Sequence, residues 1–418
     1  MSNGPQSAQV LPFEEAYELV QRYCQRLQPV GTEDVALLQS LGRVLANPVL
    51  ADRDFPPFPR ATRDGFAVRA EDVKAVPRVL RVAGQVKAGS SFPRLVSDGE
   101  AVEIMTGAPV PSGSDAVVMV EHTAHQGDSV EVQRACVSGE NVVPTGSEAR
   151  AGHEMLPSGT RLTFAHIAVA AAVGKASLYV YRKPKVAILS TGDELVELAE
   201  KPAEHQIRNS NSYSLAAQVL ALGGNPWQLP IAPDNAISTR ELIQQGLESD
   251  LLLLSGGVSM GKFDFVERAL SELGAEFFFT GVAIQPGRPA VFGHVKTPSK
   301  TAAIPFFGLP GNPVSTMVTF ELFAAAVLRA LAGEHPVRLT TALARLGREI
   351  KTKTGLTRFL PAVLTGGLYD PMVEIVPWQG SGDLQAAARA NCYVVVPPDR
   401  EFIAAGEMIS ILMRSCPN

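Results

Sequence analysis

The chain has 418 residues, 46% apolar and 19% charged, with a net charge of −5 and a pI near 5.9. That length exceeds what one core ordinarily supports, so two to four globular domains are expected, and the acidic balance argues against general nucleic-acid binding. No apolar run is long enough to span a bilayer and no basic-then-apolar leader is visible, which points to a soluble, cytoplasmic protein without membrane contact. Cys24, Cys136, Cys392 and Cys416 form no Cys-x-x-Cys pair, so reduced thiols are expected.

In chain order, Leu11 to Leu27 places Phe13, Ala16, Leu19, Val20 and Leu27 near helical spacing and predicts an amphipathic helix. Short runs broken by glycine and proline, such as Val79–Gly84 and Ala116–Val120, predict a β-rich domain at about 52–150 within an N-terminal segment, 1–181. A helical stretch follows at Phe164–Val173. Between 182 and 333, the nearly continuous apolar runs Lys185–Leu189, Leu251–Leu254 and Ala303–Phe307 read as strands covered on both faces. They alternate with helical patterns at Tyr213–Leu222, Ile237–Leu247, Phe263–Leu273 and Val314–Leu331. This alternation predicts crossover units, hence a central three-layer α/β domain with a mostly parallel sheet. Pro305 favours an edge position for its strand, because proline cannot donate to a ladder. Runs at Thr340–Ala344, Val373–Val376, Cys392–Val396 and Met408–Leu412 predict a small C-terminal β-barrel-like domain over 334–418.

Three loops follow the predicted strands: Thr191-Gly192-Asp193-Glu194, Ser255-Gly256-Gly257-Val258-Ser259-Met260-Gly261 and Pro310-Gly311-Asn312-Pro313-Val314-Ser315. Loops after parallel strands gather along one edge, where open α/β sheets bind ligands. Gly256 and Gly257 can bring successive N–H groups to a phosphate, with Ser255, Ser259 and Lys262 as further donors. No Gly-x-x-x-x-Gly-Lys-Ser/Thr loop is present. Glu194, Asp234 and Asp264 are acids on loops expected at the same edge, and hard oxygen donors of this kind suit Mg2+. Pro286-Gly287-Arg288-Pro289 is a stiff, preorganised turn, as is the Pro310 loop, where Pro313 suits the first helical position with Asn312 as cap. The serines have no visible histidine partner, which argues against a nucleophilic triad.

Two further strings lie in the β-rich part: Pro57-Phe58-Pro59-Arg60-Ala61-Thr62-Arg63-Asp64-Gly65-Phe66-Ala67-Val68 and Ile104-Met105-Thr106-Gly107-Ala108-Pro109. Together with the three loops, and with Gln379-Gly380-Ser381-Gly382 in the tail, they resemble the molybdopterin molybdenumtransferases of molybdenum-cofactor biosynthesis, related to the E domain of gephyrin. The resemblance covers nearly the whole chain. It implies that adenylylated molybdopterin and molybdate react, with Mg2+, to give molybdenum cofactor and AMP. It implies site roles for Asp64, Thr106, Glu194, Asp234, Asp264 and Arg288, and a further acid for the metal at Glu148. It also implies a homodimer in which Asp64 and Thr106 face the α/β domain of the other subunit, and transient contact with other proteins of the same biosynthesis.

The chain departs from the family pattern in places. Gln285 stands where lysine is usual, Arg288 replaces a second lysine, Arg63 replaces a methionine before Asp64, and Val142–Ser147 lacks the usual arginines before Glu148. Two alternatives share the central fold. A molybdopterin adenylyltransferase would carry Gly-Gly-Thr-Gly where this chain has Gly256-Gly257-Val258-Ser259, and would lack the flanking β-domains; a gephyrin-like scaffold would use its dimer surface for binding.

Overall fold

The computed structural model describes residues 10–257, 265–298, 300, 302–335 and 337–414. Helix α1, Phe13–Cys24, follows Pro12, carries Glu14 and Glu15 in its first turn, where they complement the helix dipole, and buries Ala16, Val20 and Cys24 on one face. The β-rich part is a six-stranded sheet in the order 116–119, 65–68, 100–104, 78–86, 129–132, 123–126. Successive residues of its strands feed opposite cores, Phe66, Val68 and Val118 in one and Ala67, Val102 and Val117 in the other, as the two-residue period of a strand requires. Helix α2, Phe164–Ala172, begins at a capping box in which Thr163 and His166 satisfy one another's backbone.

The central sheet consists of β1 (Lys185–Ser190), β2 (Asn225–Gln228), β3 (Leu251–Ser255), β4 (Ala275–Phe279), β5 (Val291–Val295) and β6 (Ile304–Leu309), in the spatial order β2-β1-β3-β6-β5-β4. The first four in that order are parallel, whereas β5 and β4 turn antiparallel. Helices α3 (Ser210–Ala221), α4 (Ala236–Gly246), α5 (Phe265–Glu272) and α6 (Pro313–Leu331) complete three layers. Ile188, Leu253 and Phe307 pack with α1, α3 and α6 on one face, while Leu189, Leu254 and Phe306 pack with α4 and α5 on the other. The α6 sequence is long and apolar enough to cross a membrane, yet 89% of it is buried inside the protein, which makes it the core helix of this layer. Contrary to the edge expected from Pro305, β6 is interior. Pro305 lies opposite His294 and one residue before the β3 ladder begins at Phe306, so its missing N–H falls outside that ladder.

The C-terminal strands 341–346, 357–367, 370–375, 392–396 and 408–413 pair around a closed five-membered ring, a barrel without free edges. Its longest strand, Thr357–Gly367, was not anticipated from the sequence, where Pro361, Gly366 and Gly367 interrupt the pattern. The barrel is joined to the α/β body by a short parallel ladder in which Ile284 pairs with Thr357 and Gln285 with Arg358. The N-terminal part is held to the same body by a buried cluster, in which Arg161 Nε donates to Glu334 Oε2 at 2.8 Å and Arg329 binds the other carboxylate oxygen. Cys24, Cys136 and Cys392 are buried free thiols, and Cys416 lies outside the described residues.

Candidate active site

The loops after β1, β3 and β6 meet at the carboxyl edge of the parallel strands. Thr191 N–H donates to Ser255 O at 3.1 Å, and Gly256 N–H to Leu309 O at 3.2 Å, so each loop is stitched to the next. Gly256 and Gly257 have φ of +86° and +63°, and a Cβ on either would sit 2.7 Å from Thr191 O or Thr191 Oγ1. Only glycine fits both the left-handed backbone and that clearance. The Gly256 amide is therefore occupied within the fold, and its contribution is room; the amides of Gly257, Gly311 and Asn312 have no acceptor among the described residues. The continuation of the same loop, with the candidate residues Ser259, Gly261, Lys262 and Asp264, lies outside the described residues.

Asn211, in the first turn of α3, ties the loops together. Its Nδ2 donates to Ser255 Oγ and to Gly311 O, each at 2.8 Å, while its Oδ1 is buried without a partner among the described residues. Thr191 Oγ1 is likewise buried and, among the described residues, unpartnered. Buried polar atoms are nearly always satisfied, so two orphans within one loop cluster mark a place where a polar ligand completes the bonding. Sequence reasoning missed Asn211. The signal was the polar run Asn209-Ser210-Asn211-Ser212 at the start of a helix, of which Asn209 serves as the cap, accepting from Ser212 N–H at 3.2 Å.

The acids fall into two groups. Asp193 Oδ1 accepts from the Asp234 amide at 3.0 Å, and Thr191 forms a parallel bridge to Ala232, so the Glu194 and Asp234 loops lie side by side. Asp193 is the acid that shapes the loops. Glu194 and Asp234 stay exposed without an ion-pair partner among the described residues. No cluster of three metal-ligating side chains occurs among the described residues. Glu194 and Asp234, on adjacent loops, and the Thr191 hydroxyl are all oxygen donors, the ligand type that a hard divalent cation retaining waters takes.

Asp64, Thr106 and Glu148 form the second group, on the β-rich part. Thr106 donates to Asp64 Oδ1 from its amide at 2.6 Å and its hydroxyl at 2.8 Å, and these bonds, the amide foremost, hold the carboxyl below its ordinary range. Glu148 pairs with Arg60 at 2.7 Å. Among the described residues, none of the three makes a hydrogen bond or ion pair with the α/β loops of its own chain.

The barrel contributes side chains that the strand-end reading overlooked. Asn312 does not cap α6 with its side chain; its Nδ2 instead donates to Ser381 Oγ at 2.8 Å, and Val314 N–H donates to Ser381 O at 2.9 Å. Pro313 does occupy the first helical turn, and Ser315 is buried behind it. Gly287, at φ +110°, packs so closely on Thr319 and Ile284 that no side chain fits. Next to this turn, Arg358 is only 8% exposed and donates from Nε to Gln285 Oε1 at 2.9 Å and from Nη1 to Leu356 O at 3.2 Å. Desolvation draws its pKa below the usual arginine value, and no carboxylate pairs with it among the described residues. A buried guanidinium without a counter-ion is costly unless an anion neutralises it. With exposed Arg288, it puts two guanidinium groups on or beside the Gln285–Arg288 turn.

Comparison with known proteins agrees along the full length. Residues 11–174 match the MoeA N-terminal region (domain I and II), 187–330 a probable molybdopterin binding domain, and 343–413 the MoeA C-terminal region (domain IV). A molybdopterin molybdenumtransferase of Nostoc is 36% identical over 91% of this chain and 88% of its own. The chain belongs to the MoeA family. The Bacillus subtilis molybdopterin molybdenumtransferase is 33% identical over 96% of this chain and 94% of its own, and a Pyrococcus horikoshii MoeA crystal structure superposes at a TM-score of 0.79, with 30% identity, over 97% of this chain and all of that one. The match runs through both flanking parts, which separates the chain from an adenylyltransferase built on the central fold alone.

Proposed function

We propose that the chain is a molybdopterin molybdenumtransferase that inserts molybdate into adenylylated molybdopterin and releases AMP. The observation that carries this reading is the corner where Arg358, buried and without a carboxylate, meets Gln285 and the Arg288 turn beside the glycine loops. It offers an oxyanion site next to a diphosphate site.

In this reading the amides of Gly257, Gly311 and Asn312, without an acceptor among the described residues, bind the diphosphate with Thr191 Oγ1 and Asn211, while Arg288 and Arg358 bind molybdate. Asn312 and Ser381 fix the loop between them. Two thiol sulfurs bond molybdenum as one oxo group leaves with their two protons as water. A water oxygen adds to phosphorus as the phosphoanhydride bond breaks, freeing AMP. Most of the catalysis is positioning and charge stabilisation by groups already fixed in place. Glu194 and Asp234, with Asp264, would hold Mg2+, which supplies charge neutralisation at the diphosphate.

Asp64 and Thr106 enter this site from a second copy of the chain, in a cytoplasmic homodimer. The absence of any hydrogen bond or ion pair between them and the loops of their own chain, among the described residues, supports this, as does the exposed apolar surface on and near α2, where Phe164 is 84%, Leu38 81% and Leu41 58% exposed. Large exposed apolar side chains on neighbouring elements suit an association site. The test follows AMP release from adenylylated molybdopterin with molybdate and Mg2+. Turnover that requires molybdate supports the reading, and AMP release indifferent to molybdate contradicts it.

A further inference from the structure

A cavity lies at the opposite, amino-terminal edge of the central sheet, away from the loops. It encloses about 900 Å3 between the end of α1 with the Gln28–Gly31 segment and the strands β4, β5 and β6. That volume is within the range of small-molecule sites, which combine apolar walls with a few convergent polar groups. Leu19, Leu27, Phe278 and Ile304 supply apolar wall. Tyr23 packs edge-on against Phe292, and its hydroxyl lies 3.4 Å from His294 Nδ1.

Most of the charged side chains around the cavity have a polar partner. Glu276 Oε2 lies 3.1 Å from His294 Nε2, Asp250 lies 3.7 Å from Lys300 Nζ and accepts the Lys185 amide at 2.8 Å, and Arg22 pairs with Glu18 at 3.5 Å. Arg26 remains as the lining cation with no acceptor or carboxylate among the described residues. Along the lining itself, Arg22, Arg26 and Lys300 exceed Asp250 and Glu276 by one positive charge with His294 neutral, beside an aromatic and aliphatic wall.

We propose that this cavity is a second ligand site, for a small planar aromatic molecule bearing one anionic group, with its body against Phe278, Leu27 and Ile304 and its anion on Arg26. The site is independent of the transferase reaction. It lies against the starts of β3 and β6, the two strands whose far ends carry the Ser255 and Pro310 loops.

Two fluorescent probes of the same skeleton test it: 8-anilinonaphthalene-1-sulfonate and the uncharged N-phenyl-1-naphthylamine. The full chain is expected to bind the sulfonate saturably, at one site per chain, and more tightly than the neutral probe. Arg26→Glu should weaken the sulfonate about tenfold or more, the scale of a charge-assisted contact, and leave the neutral probe within about twofold. Ala303→Trp, or Ala302→Trp should the first misfold, fills the cavity and should abolish both, with folding checked by circular dichroism. Leu368→Asp, at an exposed turn of the C-terminal barrel, should change neither. Equal affinity for the two probes, indifference to Arg26→Glu, survival of binding in both tryptophan variants, or its loss in Leu368→Asp would each overturn the proposal.

Discussion

The two β-rich parts flank the same α/β body, yet they relate to it in different ways. The C-terminal barrel is built into the site: it shares a ladder at Gln285 and Arg358, and Ser381 holds Asn312 and Val314. The N-terminal sheet carries an equally preorganised group, Asp64 bound twice by Thr106, but is fastened to the body elsewhere, through Arg161 and Glu334. On the proposed function, one flanking part completes the pocket within its own chain and the other completes a neighbour's. Additions in cis and in trans would then each leave their own signature under mutation.

The largest effects test the acids proposed to act in catalysis. Asp64→Ala and Glu194→Ala should each lower AMP release by about a thousandfold while leaving the circular dichroism spectrum unchanged, since both residues are exposed. A loss below tenfold in either would remove it from the chemistry.

Next comes the fastening of the N-terminal part. Burial opposes the charged form of Glu334, but the hydrogen bond from Arg329 and the charges of Arg161 and Arg329 outweigh it, so the carboxyl titrates below its ordinary range. Its stabilisation is therefore present above the unfolded value of about 4.3 and is lost as pH falls through the lower folded one. Glu334→Ala leaves two arginines unpaired and should cost about 3 kcal/mol in denaturant unfolding at pH 7. The difference from wild type should shrink in acid; a pH-independent difference would contradict the ion-pair account.

Smaller effects belong to the barrel's contribution. Arg358→Ala should raise the molybdate concentration for half-maximal AMP release about thirtyfold, with Arg358→Lys recovering part of that, because a point charge replaces a bidentate fork. Ser381→Ala should raise it about fivefold, the value of one neutral hydrogen bond, through the loosened Asn312 loop. If both changes instead lowered only stability, the barrel would be a brace and not part of the pocket.

Much of the α/β body was legible because its signals are local. Apolar runs at Lys185, Leu251 and Ile304 are strands buried on both faces, and the glycines at 256, 257 and 287 stand where positive φ and close contact forbid a side chain. What stayed hidden depends on contacts between distant segments. Arg358 looks like an ordinary charged residue until its strand pairs with Ile284–Gln285, and Pro361 with the glycines at 366 and 367 masks that strand. Asn211 looks like part of a polar turn until α3 brings it within 2.8 Å of both Ser255 and Gly311. The apparent loss of a cation at Gln285 also reads differently in three dimensions, since the amide oxygen is what holds Arg358.

Subunit mixing tests the cis and trans assignment most directly. Asp64→Ala and Glu194→Ala proteins, each inactive alone, are unfolded together, refolded and assayed for AMP release, alongside a parallel mixture of Arg358→Ala with Glu194→Ala. Random pairing gives hybrids with one intact pocket in the first mixture, so about a quarter of wild-type activity should return there, and none beyond the parents in the second. Equal recovery in both mixtures, or recovery in neither, would contradict the division of labour between the two flanking parts.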